Sequence, residues 1–185
     1  GEFLEPVGLV SEAAMIDAFS RQIEALADGG ADAILIETMS DVGEAIAALK
    51  AVRETTDLPA AVSMTFEQGK KELATMMGVK PAEAAEALCE AGADIVGSNC
   101  GGGIEQIIEV ITQMAPHIDR PIWAKPNAGL PELVDGETVF REPPDQMAGH
   151  FEDLVEAGAT IIGGCCGTTP EHIRQFVQRR NALKG

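Results

Sequence analysis

The sequence predicts an α/β fold on a parallel sheet, of the (β/α)8 TIM-barrel type, with five strands visible and the first three absent. Three observations carry this. One phrase recurs three times, as "LADGGADAILIET" (26–38), "LCEAGADIVGSNC" (88–100) and "LVEAGATIIGGCC" (154–166). Each copy reads as a helix end, a Gly terminator, a short apolar run and then chemically loaded residues. Second, strands and helices alternate, the mark of a parallel sheet with right-handed crossovers. Third, the reactive residues gather at the carboxyl ends of the strands, where barrel enzymes place them. An open doubly wound sheet is the alternative, but no Gly-rich phosphate fingerprint follows the first strand.

The elements follow in order. "GEFLEPVGLVS" (1–11) reads as a loop. Residues 11–30 form a helix with Ser11 as its cap and apolar residues at helical spacing. The first strand lies in "ADAILIE" (31–37), with Gly30 as the left-handed terminator before it. Helix 41–55 follows, with Asp41 as N-cap, then strand "PAAVSMTF" (59–66). Segment 65–81, a candidate for donor or partner specificity, leads into helix 80–92. Strand "ADIVGSN" (93–99), helix 103–116 and strand "PIWAKPN" (121–127) come next. A single helix is expected over 142–158, then strand "ATIIGGC" (159–165). The last helix spans 168–184, with Thr169 as cap and Pro170 in its first turn. The apolar runs lack clean alternation, as strands covered on both faces should.

A barrel needs eight strands and typically about 250 residues. This chain has 185 and begins at Gly1, not Met. The expectation is one domain, 1–185, forming a partial barrel. Three strands then precede it, or a second chain completes it, or the sheet stays open and curved. Thirteen basic residues against thirty acidic give a net charge of −17, which argues against nucleic acid. No apolar run reaches the roughly 18 residues of a membrane span. Four cysteines, two of them adjacent, fit free or metal-bound thiols and a cytoplasmic location better than disulfides.

Cys100, Cys165 and Cys166 stand at two equivalent strand ends. Three thiolates with one position left open suit catalytic zinc. Adjacent residues of a regular strand face opposite ways, so Cys165 and Cys166 can share an ion only if the backbone turns. Gly163, Gly164 and Gly167 permit such a turn. A strained vicinal disulfide is the competing state. Cys89 reads as core. His117, His150 and His172 read as surface or capping residues. Asn99 and Asn127 offer amide contacts to substrate or to neighbouring loops, or are simply turn residues. Glu37 ends the first visible strand, as a site carboxylate or an exposed helix-start acid.

The segments "GSNCG" (97–101) and "GGCCGTTPEHI" (163–173) resemble the paired zinc motifs of the homocysteine S-methyltransferase family. "IETMSD" (36–41) and "KPNAGLP" (125–131) are similar to two further segments of it, in the right order. The resemblance runs from about residue 5 to 180 and is strongest to the homocysteine-binding modules of corrinoid-linked members. It implies a (β/α)8 barrel, Zn²⁺ on Cys100, Cys165 and Cys166, and methyl transfer to homocysteine or a similar thiol. It implies that Glu37 helps hold the substrate amino group. The donor it implies is methylcobalamin or another methylcorrinoid on a partner protein or domain, with a small sulfonium or ammonium compound as the alternative. Methylation or demethylation of another substrate, a non-catalytic fragment and a phosphate-binding barrel remain competing readings.

Overall fold

The five apolar runs pair side by side in chain order. The computed structural model describes residues 3–69 and 72–183. Lys184, at the end of the expected last helix, lies outside these, as do residues 1–2 and 70–71. The elements are α1 (Glu12–Asp28), β1 (Ile34–Met39), α2 (Val42–Thr55), β2 (Ala60–Met64), β3 (Glu67–Gln68), β4 (Leu73–Ala74), α3 (Pro81–Glu90), β5 (Ile95–Cys100), α4 (Ile104–Met114), β6 (Ile122–Pro126), β7 (Glu132–Val134), β8 (Glu137–Val139), α5 (Pro144–Gly149), α6 (Phe151–Glu156), β9 (Ile161–Ile162) and α7 (Pro170–Leu183). The main sheet has the order β1-β2-β5-β6-β9, with all pairs parallel. Every crossover therefore lands on the next strand in one direction. A doubly wound sheet reverses that direction midway; a (β/α)8 barrel does not, so the fold is of the TIM-barrel type.

The local signals explain the elements. The Ser11 hydroxyl accepts the Ala14 N–H and the Asp41 carboxylate accepts the Gly43 N–H, so both caps form as expected. Gly30, Gly92 and Gly158, one in each copy of the repeated phrase, have φ of 90°, 90° and 112°. Helix α4 buries Ile104, Ile107, Val110, Ile111 and Met114, one stripe at helical spacing. In α2 the buried residues are mostly alanines, which lets it lie close under both α1 and the sheet.

Four expectations need correction. The strands are not equally covered on both faces. Ile34, Ile36, Val62, Val96, Ile122 and Ala124, on the helix side, are buried, while Leu35, Ile95, Trp123 and Ile161, on the other, are only partly so. Helix 142–158 is two helices: His150 at φ −91° and ψ 8° breaks it, following the flexible Gly149. Two small antiparallel hairpins, β3–β4 and β7–β8, occupy segments read as loop. His172 is not a surface residue; it is buried, and it caps. No helix among the described residues is long and apolar enough to cross a membrane.

Candidate metal centre

The carboxyl ends of β5, β6 and β9 build the site. Cys100 closes β5 with φ +65°, a left-handed conformation uncommon outside Gly, and this breaks the alternation of the strand. Beyond β9 the chain stays tied to β6. Gly163 and Cys165 donate their N–H groups to Ala124 O and Pro126 O, and Ala128 N–H donates back to Cys166 O. A turn then closes from Thr168 N–H to Cys165 O at 3.2 Å.

The glycines act differently from expectation. Only Gly167 uses a left-handed φ, +77°. Gly163 and Gly164 are needed for space: a Cβ on Gly164 would lie 2.4 Å from the Thr168 hydroxyl, and one on Gly163 would press on the Lys125 side chain.

The three predicted sulfurs meet. The Sγ atoms of Cys100, Cys165 and Cys166 all lie within 4.8 Å of one another, and Cys165 and Cys166 are 3.9 Å apart. A tetrahedral zinc with Zn–S bonds of about 2.3 Å sets sulfurs about 3.8 Å apart. The donor set therefore fits that ion with little adjustment. All four cysteines are free thiols, so the vicinal disulfide is not formed here. Partial burial, and then the neighbouring Cys165 and Cys100, push the Cys166 thiol up to about 11. A cation binding there at neutral pH must displace its proton. Cys89 packs against the core, as expected, and burial raises its thiol too.

Two buried amides brace the cluster. Asn127 donates from Nδ2 to Gly101 O (3.0 Å) and Cys100 Sγ (3.6 Å), while its Oδ1 accepts the Cys166 N–H at 3.0 Å. One side chain thus holds both cysteine-bearing turns. Asn99 donates to Thr38 Oγ1 (2.7 Å) and Cys165 Sγ (3.6 Å), and accepts from Thr38 N–H (3.0 Å) and Ser63 Oγ (2.6 Å). Both amides are directed at protein groups. Glu37, on the partly open face of the sheet, forms an ion pair with Lys125, whose ammonium lies 5.5 Å from the Trp123 ring centroid.

Ser63 and Lys125 belong to this site and were not singled out in the sequence; Thr38, which follows Glu37 at the same strand end, had no role assigned to it. Lys125 carried a signal: it sits two residues before Asn127 on the same strand, at inward spacing. The histidines stand apart from the sulfurs. His117 meets Glu86, His150 meets Asp153, and His172 links Thr169 to the Glu142 carbonyl. No other cluster of candidate metal ligands occurs among the described residues.

A cleft of about 690 Å³ opens beside Cys100, walled by Phe66, Gln68, Gly101, Gln106 and Leu130. Segment 65–81 supplies one wall through β3. A second cleft, about 540 Å³ and lined by Phe151, Ile161 and Phe176, lies between α6 and α7, away from the thiols.

Successive parallel βα units with a thiol cluster at their carboxyl ends define a barrel-type α/β protein with a sulfur-lined site. The chain belongs to the homocysteine S-methyltransferase family, whose sequence profile matches residues 2–180. It is 32% identical to the methionine synthase of Mycobacterium leprae and 33% identical to that of Mycobacterium tuberculosis, each over 181 residues. The match covers 95% of this chain, which spans 15% of the length of those relatives. The homocysteine methyltransferase MmuM of Escherichia coli shares the fold: its apo form superposes with a TM-score of 0.74 at 23% identity, over 92% of this chain and 58% of that one. Its metallated form gives 0.70 at 25%, over 89% and 52%.

Proposed function

We propose that this chain is the homocysteine-binding part of a methyltransferase in which Cys100, Cys165 and Cys166 hold one zinc ion. The observation that carries the reading is the convergence of three sulfurs from two strand ends at a spacing suited to zinc. Held by these three thiolates, zinc would lower the pKa of an incoming thiol and so keep it a thiolate at neutral pH. Glu37 receives the substrate ammonium in this reading, which its ion pair with the Lys125 ammonium supports. The substrate sulfur attacks the methyl carbon; the S–C bond forms as the carbon–donor bond breaks, and the electron pair leaves with the donor. Family membership supports homocysteine as the acceptor and methionine as the product.

For the donor we favour a methylcorrinoid carried by another domain or protein, on the strength of the resemblance to corrinoid-linked members. A small sulfonium or ammonium donor is the second reading, favoured by Glu67, Glu105 and Glu109 around the cleft beside Cys100. The phosphate-binding alternative loses one donor, the Thr169 N–H at the start of α7, which is taken by His172 Nδ1.

The deciding experiment measures zinc content and methyl transfer to homocysteine, with methylcobalamin and with a sulfonium donor in separate arms. About one zinc per chain is expected, lost on Cys166→Ala. Metal content unchanged by that substitution, or absent from the parent protein, would overturn the reading.

A further inference from the structure

We propose that Asn99 is a positioning residue that couples the end of β1 to the thiol cluster: one carboxamide holds Thr38, and with it the adjacent Glu37, in fixed relation to Cys165. The inference rests on the zinc and homocysteine reading above. Asn99 is fully buried, and every hydrogen-bonding position of its amide is directed at a partner. Two donors and two acceptors in a plane are what a carboxamide offers; an ionised carboxylate has no donor and a hydroxyl only one.

The two ends of the contact differ in purpose. On the β1 side, Thr38 has φ +63°, a left-handed conformation that is strained for a β-branched residue. Asn99 grips both its N–H and its hydroxyl, so the strained residue cannot relax. Glu37 immediately precedes it, and the carboxylate that would receive the substrate ammonium inherits that rigidity. On the β9 side, the Nδ2–H donates to the Cys165 sulfur at 3.6 Å and so fixes where that sulfur lies. Groups that orient metal ligands in this way typically contribute 10- to 100-fold in metal affinity. A substrate bound at both ends, by its ammonium and by its sulfur, needs those ends at a constant separation.

The test separates the two ends. Asn99→Asp keeps acceptors for the Thr38 N–H and the Ser63 hydroxyl; it replaces the nitrogen that donates to Cys165 Sγ and to Thr38 Oγ1, and the Thr38 hydroxyl can turn to donate to the new oxygen. Zinc affinity is measured by competition with a chromophoric chelator, and Co²⁺ is used alone as a spectroscopic probe. The expected result is a folded protein with zinc affinity reduced 10- to 100-fold and a shifted thiolate-to-Co²⁺ charge-transfer band. Wild-type affinity with an unshifted band would overturn the proposal. Thr38→Ala removes the other end. It should leave metal affinity near wild type while weakening homocysteine about tenfold, read by its perturbation of the Co²⁺ band, and Thr38→Ser should restore binding. Should Asn99→Asp fail to fold, undiminished homocysteine binding by Thr38→Ala is the overturning result. A wild-type chain that takes up neither ion defeats the zinc reading and this inference with it; failure of the variants alone defeats only the inference.

Discussion

Cys100 and Gly167 show how much of the site lies in backbone conformation. Both are left-handed, and both sit where a cysteine-bearing segment must turn back on itself. A Cβ at Gly167 would also fall 2.3 Å from the Phe140 side chain. Gly167→Ala should therefore cost about 1–3 kcal/mol of stability in urea unfolding and reduce zinc uptake, since the turn carries Cys165 and Cys166. The cysteines were legible in the sequence because they recur at the same place in a repeated phrase. The roles of the asparagines were not. Asn99 reaches Thr38, Ser63 and Cys165, and Asn127 reaches Cys100, Gly101 and Cys166. Those partners lie on other strands or in the turns that follow them, and only the order of the sheet brings them within reach. Glu37 and Lys125 pair from opposite sides of β2 and β5 for the same reason.

Element types were read more fully than element ends. The five strands and the Gly terminators follow from apolar runs and helix caps, which are local. The β7–β8 hairpin was local too, and was overlooked: Asp135 and Gly136, at φ 51° and 85°, form a two-residue turn of the Asp-Gly kind favoured between short strands. The break at His150 has a weaker signal, a single Gly before it. Asp94 shows how elements are pinned to one another. Its carboxylate accepts from Arg53 and from the Ala60 N–H, each at 2.7 Å, joining α2 and the start of β2 to the entry of β5. Arg53 first, and then the Ala60 N–H, hold the group below the usual carboxylate range. A depressed folded value stabilises the native state above the unfolded pKa of about 3.9, and that stabilisation is lost as pH falls through the folded value. Asp94→Asn should cost about 1 kcal/mol at pH 7, a figure discounted because the pair is half exposed. The difference from wild type should shrink below about pH 4. Urea unfolding at pH 7 and pH 3 checks both the size and the direction.

At the scale of the molecule, the sheet order and the sulfur cluster are linked. A ligand that binds only the native state stabilises it by about 2.7 kcal/mol at a hundredfold excess over its dissociation constant. For a chain of this size that is about 5–10 °C in Tm. Zinc addition should raise Tm by that order, EDTA should reverse it, and Cys166→Ala should abolish it; calorimetry with and without metal reads the effect. Strand order also governs the sequence of assembly. Paired residues on neighbouring strands are only 25 to 38 positions apart along the chain. Each closure is of modest and similar entropy, so the units can add one after another. Cys100 ends β5 and Cys165 follows β9, two strands that do not touch, with β6 between them. Their thiols converge only after both adjoining closures are made. If the three thiols hold a cation as proposed, its capture is a late event in folding, and the rate at which Co²⁺ colour develops during refolding would time the docking of the last βα unit.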